Sequence, residues 1–548
     1  MRKGYFLLLL VCLFAIPAFA IPEHDNYIAQ DDVLGDWMYT YYGSWTPGAA
    51  PTGGAENENF FIGRVRPLKR FTNEATQVIQ DDQKTRRKNR GLLWWVPIGE
   101  SDNGGWTSLP SYSFNSEAFS SWSYITTYGN WTQGFLRQPG TFADACHKNG
   151  VNTACVSAAA WAVGLSPTDL GHGQNYNALI NGGYDKLMKL FRYYGIDGLG
   201  FNSEQEWNSL RSGMKTLLQN CHANKANYDG LGDRLHFDFY QLSDVLGGGG
   251  GGTDFSDFFP YANGFFLNYN WGAGNLQTSV NNAINKGGNS FDVYAGMDQQ
   301  GRSSAPWPTL NNYDISVGIW GAHNKNMIWL GSTADGSSAT AIQNCYLRKC
   351  EQFFTGGTQN PVNDIAITSE LCTGNPGFFG VAKLVAAKSA LSWQVNDYFP
   401  FISYMNLGVG KFFNNEGETT FDSEWYNIGM QDHLPTWRWW ITTSYMGRTT
   451  AEVPNDTHVA FTYEDAWFGG SCLKLTFDNA VTGRNYRFIQ MYKTQFPIAT
   501  GETYKIRVRY KALKGKATMA FAMSAEGTET TAVNQNMGTM SATDWTVL

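Results

Sequence analysis

Eight short apolar runs between residues 92 and 320 constrain this chain more than any other feature. They are Leu92–Val96, Tyr124–Tyr128, Val151–Ala158, Ile196–Phe201, Leu235–Tyr240, Phe265–Tyr269, Phe291–Gly296 and Ser316–Trp320. Helical patterns lie between several of them, most clearly at Tyr184–Tyr194 and Glu206–Ala223. Strands that alternate with helices predict a parallel sheet, and eight of them predict closure into a (β/α)8 TIM-like barrel. A doubly wound open sheet would alternate too, but no glycine-rich phosphate loop follows the first run. The α/β barrel is expected over 91–365, with an N-terminal extension, 21–90, packed on it.

After about residue 395 the alternation stops. Runs at Cys472–Phe477, Tyr486–Tyr492, Thr503–Lys511 and Ala517–Ala522 are short and evenly spaced, with polar alternation as in YKIRVRYKAL. That texture predicts a β-sandwich over 451–548, reached through a connecting region, 366–450. The last residues, Asp544 to Leu548, read as part of another strand, so the sandwich is expected to be incomplete where this sequence stops.

The ends and the composition narrow the class. Arg2 and Lys3, the apolar run Tyr5–Ile16 and Ala18-Phe19-Ala20 make a cleavable signal peptide over 1–20, which predicts export to the periplasm, cell surface or medium. No later segment is apolar for long enough to span a bilayer. Charged residues are 16% and the net charge is −7, which argues against a nucleic-acid partner. Aromatic residues reach 15%, with 20 Trp and 28 Tyr. Rings stack on the C–H faces of sugars and also fill large cores, and composition does not separate the two. Beyond the signal peptide the cysteines are Cys146, Cys155, Cys221, Cys345, Cys350, Cys372 and Cys472. Cys345 and Cys350 are expected to form one disulfide, with buried thiols elsewhere. No C-x-x-C or H-E-x-x-H occurs, so neither zinc nor another cofactor is expected.

The fourth run continues as Gly198-Leu199-Gly200-Phe201-Asn202-Ser203-Glu204. Side chains alternate along a strand, so Asn202 and Glu204 share a face with Gly198 and Gly200, which leave room beneath them. Catalytic groups of such barrels stand at the C-terminal strand ends. An amide beside a carboxyl there suits hydrolysis of a 2-acetamido sugar. The sugar's own acetamido oxygen can attack C1, Asn202 can hold the acetamido N–H, and Glu204 can protonate the leaving oxygen. That last role requires burial to raise the Glu204 pKa. Glu206 has the same parity but falls where the next helix begins.

The segment YYGIDGLGFNSE resembles the Asn-x-Glu strand of glycoside hydrolase family 85, the endo-β-N-acetylglucosaminidases. ADACHKNGV, GFFLNYNW, VYAGMDQQGR, PFISYMNLGVGKFF, WYNIGMQDHLPTWRW and EDAWFGGSCLKL are similar to the same family, in the same order. The resemblance implies that Asn202 orients the acetamido group and Glu204 is the acid and base. Phe239-Tyr240-Gln241 matches an aromatic–Tyr–Asp run, which implies a catalytic contact for Tyr240 and substrate contact for Phe239. Phe239 and Gln241 depart from the usual Trp and Asp. Trp271 matches an aromatic that lines the glycan site, and Asn268 would bond sugar hydroxyls. Asp298 and Arg302 read as an ion pair at the rim. The six glycines Gly247–Gly252 form either a lip over a branched glycan or a plain linker. Trp106, Trp122, Trp131 and Trp161 are further candidate sugar platforms. The C-terminal sandwich resembles galactose-binding-like modules.

The implied activity cuts the β-1,4 bond between the two core GlcNAc residues of N-glycans with retention, and transglycosylation is a possible side reaction. Its partners are N-linked glycans or glycoproteins, met by a monomer. A chitinase-like barrel is the alternative enzyme, but that class carries an acid where Asn202 stands. A non-catalytic glycan-binding protein is the third reading, against which the intact Asn202 and Glu204 stand.

Overall fold

The computed structural model describes residues 42–47, 62–70, 84–96, 118–131, 140–158, 166–168, 172–249, 253–299, 305–322, 339–355, 378, 380–388, 401–436, 439–445, 448–450, 456–478, 485–492, 494, 496, 500–524 and 532–548. Residues 1–20, the segment expected to be a signal peptide, lie outside them. Among the described residues, no helix is long and apolar enough to cross a membrane.

Eight parallel strands close into a barrel in sequence order. They are β1 (Leu92–Val96), β2 (Thr127–Trp131), β3 (Asn152–Ala158), β4 (Gly198–Ser203), β5 (His236–Gln241), β6 (Gly264–Phe266), β7 (Val293–Asp298) and β8 (Ser316–Trp320). Helices α1 (Gly140–Lys148), α2 (His172–Tyr194), α3 (Leu210–Asn224), α4 (Ala273–Asn285) and α5 (Ala339–Thr355) carry the chain across the outside. Among the described residues, the β5–β6 and β7–β8 connections carry 3-10 segments, Ser256–Tyr261 and Trp307–Asn312. The TIM-like barrel read from the sequence is therefore present, and among the described residues α-helices cross on some of its connections.

Two layers of rings hold it. Outside the strands, Phe201, Phe239 and Phe265 pack on Trp207, Phe255 and Phe258, and Phe239 stacks on Phe265 at 5.2 Å. Inside, Leu93, Trp95, Val156, Tyr240, Phe266 and Tyr294 form a separate buried cluster. Trp95 and Phe266 stack at 5.3 Å. Small residues make way for them. A Cβ on Gly129 would fall 2.1 Å from Trp95 Cδ1, and one on Gly200 would fall 3.1 Å from Trp95 Cζ2. A Cβ on Gly318 would fall 2.5 Å from Phe266 Cε2. The room expected beneath Asn202 is thus real but filled, because the indole of Trp95 occupies it. Each buried ring contributes on the order of 1.5–3 kcal/mol by leaving water.

At the opposite end of β4, Asp197 is buried among charges. It accepts from His147 Nε2 at 3.0 Å, from Arg234 Nη2 at 2.9 Å and from the Thr153 backbone at 2.9 Å. Burial works against its charge, but Arg234 and His147 outweigh that and hold the carboxyl well below the usual range. This network ties α1, β3 and β4 together at the N-terminal end of the barrel.

The cysteine expectation is corrected. Cys345 is a free thiol, so it is not bridged to Cys350. Both lie on α5, five positions apart, and leave the helix axis about 140° from one another. Cys146, Cys155 and Cys221 are buried free thiols, and Cys372 lies outside the described residues.

Beyond the barrel every described strand pairing is antiparallel. Trp440–Tyr445 pairs with Asn485–Gln490, Thr457–Thr462 with Cys472–Phe477, and Ala517–Ser524 with Ala532–Met540. The strand expected over Thr503–Lys511 is limited to Arg509–Tyr510, which pairs with Thr546–Val547.

Candidate active site

Strand parity turns Gly198, Gly200 and Asn202 into the barrel and Leu199, Phe201 and Ser203 outward. Regular strand structure stops at Ser203. The Glu204 N–H then donates to the Asn202 carbonyl at 3.1 Å, a three-residue turn that folds the acid back over the strand end. Asn202 is buried, Glu204 is partly buried, and the two side chains are hydrogen-bonded. Burial pushes the Glu204 carboxyl up, and the bond from the Asn202 amide offsets part of that rise.

Tyr240 stands beside them, since Asn202 and Tyr240 are direct partners in the β4–β5 register. Its hydroxyl donates to Asn268 Oδ1 at 3.3 Å. Burial raises the phenol first, and the charges of Glu204 and Asp298 raise it further. Tyr269 stacks on Tyr240 with centroids 5.9 Å apart and 25° between planes. Asp298 completes the group. It is buried at the inward-facing end of β7, two residues beyond Gly296. Glu204, Asn202, Tyr240 and Asn268 therefore meet at the C-terminal mouth. Together they offer a protonatable acid, two amides and a phenol. Among the described residues, no three His, Cys, Asp or Glu side chains group to hold a metal ion.

Residues 105–413, more than half of the chain, match glycosyl hydrolase family 85. The chain belongs to that family. As a glycosyl hydrolase family 85 member it is a glycosidase of the endo-β-N-acetylglucosaminidase type. A solved relative in fold is the glycoside hydrolase domain of Endo-D from Streptococcus pneumoniae R6, at 20% identity and a TM-score of 0.65. That match covers 92% of this chain and 75% of the other. Family 18 chitinases from Crocus vernus (13% identity, TM-score 0.26, 42% of this chain and 92% of that one) and from Flavobacterium johnsoniae (10%, 0.28, 47% and 94%) are too distant in shape to carry an argument. No curated protein matches the chain significantly.

Two expected contacts of this family 85 chain fall elsewhere. Phe239 does not line the mouth. It neighbours Tyr240 on one strand, so it must face outward, and it is fully buried among Phe201, Phe258 and Phe265. Trp271 is also buried. Its Nε1–H donates to the Gly296 carbonyl at 2.9 Å, and its ring meets Trp307 edge-on at 5.0 Å. It fastens the ends of β6 and β7 rather than facing a glycan. Trp122 is likewise buried and bonded to Gln431 Oε1 at 2.6 Å. Trp106, Trp161 and Arg302 lie outside the described residues, as do the Trp131 side chain and Gly250–Gly252. The sequence reading missed Tyr269. Its signal was proximity in the chain, one position beyond Asn268.

Proposed function

We propose that this enzyme cleaves the β-1,4 bond within the GlcNAc–GlcNAc core of N-glycans by a retaining, substrate-assisted route. The supporting observation is the hydrogen bond between Asn202 and Glu204 at the end of β4. An amide has a donor end and an acceptor end. With its NH₂ committed to Glu204, Asn202 keeps its carbonyl oxygen for the acetamido N–H of the sugar. That interaction holds the acetamido oxygen against C1, which replaces a protein nucleophile. Glu204, whose burial favours the protonated form, gives its proton to the departing GlcNAc oxygen. The resulting carboxylate then activates water against the oxazoline. A sugar hydroxyl in place of water gives transglycosylation. The substrate is an N-linked glycan or glycoprotein, which suits export by the N-terminal signal peptide and action outside the cytoplasm as a monomer.

The test uses a defined N-glycoprotein and a preformed glycan oxazoline with a GlcNAc acceptor. Glu204→Gln should lose hydrolysis by about 10²–10⁴-fold, the usual share of general acid–base catalysis. Asn202→Ala should cripple hydrolysis of the glycoprotein and spare much of the oxazoline reaction, which has already passed the step Asn202 assists. Equal loss of both reactions in Asn202→Ala, or near-normal hydrolysis in Glu204→Gln, overturns the assignment.

A further inference from the structure

Tyr269 contacts Tyr240 and Asn268 in a closed circuit. Its backbone N–H donates to Asn268 Oδ1 at 2.8 Å. That contact settles which end of the Asn268 amide is oxygen, because an NH₂ group could not accept it. The same oxygen takes the Tyr240 proton at 3.3 Å. A hydrogen bond also joins the two phenol hydroxyls. Tyr240 has already given its only proton to Asn268, so in this bond Tyr269 donates and Tyr240 accepts. Neither phenol ionises in the working range, since burial and then the nearby charged groups raise both. The ring of Tyr269 is itself fixed. It stacks on Tyr240 and meets Phe266 edge-on at 6.0 Å, and its Cδ1 would lie 3.2 Å from any Cβ on Gly296.

We infer that Tyr269 is a positioning residue for the reaction, setting the direction of the Tyr240 O–H bond through both its own hydroxyl and its hold on Asn268. A phenol hydroxyl turns about its C–O bond at little cost, so an unassisted Tyr240 would meet the sugar in several orientations. The circuit selects one of them before the glycan arrives. The inference rests on the proposed role of Tyr240 beside Asn202 and Glu204. It adds that the orientation, and not only the presence, of the Tyr240 hydroxyl matters.

The experiment is a double-mutant cycle of Tyr240→Phe and Tyr269→Phe on a defined N-glycoprotein, with thermal melts of each protein. Tyr269→Phe keeps the stacked ring, so its melting temperature should stay near that of the parent. Its kcat should fall about 10- to 100-fold with KM little changed, the scale of a misaligned catalytic contact. In the Tyr240→Phe background the same change should cost nothing further, because there is no hydroxyl left to orient. Asn268→Ala, which removes the shared acceptor, should show the same dependence on Tyr240. It serves as the deciding variant should Tyr269→Phe melt early. Unchanged kcat in both variants, or losses that multiply with that of Tyr240→Phe, overturn the inference. Glu204→Gln is assayed alongside. Full activity there points instead to a failure of the site assignment itself.

Discussion

The bond between Asn202 and Glu204 has a consequence for pH. It favours the charged carboxylate, while burial, the larger effect, favours the neutral acid. As the proposed general acid, Glu204 works while protonated, so activity should fall as pH rises through its raised pKa. Removing the Asn202 amide removes the opposing influence. The alkaline limb of kcat/KM should therefore move to higher pH in Asn202→Ala, measured on its residual activity. A limb that stays in place or moves down contradicts the electrostatic role. A second buried acid, Asp238, affects stability instead. It sits deeper on the inward face of β5, raised to about 6 by burial, with His236 drawing it partway back. Its unfolded value is about 3.9. Between those values the folded protein holds a proton that the unfolded chain has released. Stability should thus decline from about pH 4 to about pH 6 and stay low above it, by a few kcal/mol at most. Asp238→Asn should melt at the parent temperature at pH 4 and higher than the parent at pH 8.

At the level of strands, period two explains both what the sequence disclosed and what it hid. Parity alone placed Asn202 with Gly198 and Gly200, and the register put Tyr240 alongside. The same parity, applied to β5, sets Phe239 against Tyr240 and outside the barrel. Adjacency to a catalytic candidate was the weaker guide. The turn at Ser203 was not legible, because nothing in Asn-Ser-Glu marks where a strand ends. Trp95 was hidden for another reason. A tryptophan inside a narrow barrel fits only where neighbouring strands present no side chain, and those strands lie far away in sequence. Trp95 and Gly200 should therefore be coupled. Gly200→Ala places a methyl 3.1 Å from Trp95 Cζ2 and 3.0 Å from Val156 Cγ2, a crowding that should cost on the order of 1–3 kcal/mol. Trp95→Phe removes the ring that includes Cζ2 and leaves a space. The double variant should be more stable than the sum of the single losses by at least about 0.5 kcal/mol, measured by urea unfolding. Strict additivity would refute the contact.

Across the whole molecule, the segments that resemble family 85 divide between chemistry and assembly. YYGIDGLGFNSE and GFFLNYNW bring Asn202, Glu204, Asn268 and Tyr269 to one mouth. ADACHKNGV supplies His147 to the buried Asp197, and WYNIGMQDHLPTWRW supplies Gln431. The Gln431 side chain accepts from Trp122 Nε1 and donates to the carbonyls of Phe119 and Leu407, each at 3.0 Å. One fully buried amide thus joins the 401–436 segment to the connection between β1 and β2. Such a link spans about 310 positions, so no local pattern announces it. Gln431→Leu keeps the volume but strands an indole N–H and two carbonyls away from water. It should lower stability by about 2–4 kcal/mol in thermal or urea melts while leaving KM for the glycan near normal. A raised KM with unchanged stability would mean that this junction belongs to the glycan-binding surface.

The stacked rings of Trp95 and Phe266 also govern traffic. They stopper the barrel from within, so Glu204 exchanges its proton only with what stands at the strand ends. In the proposed reaction, incoming water, the departing sugar and any competing acceptor would all approach Glu204 from the mouth side of these rings. Under that proposal, their order of arrival would decide whether the glycan is handed to water or to another sugar.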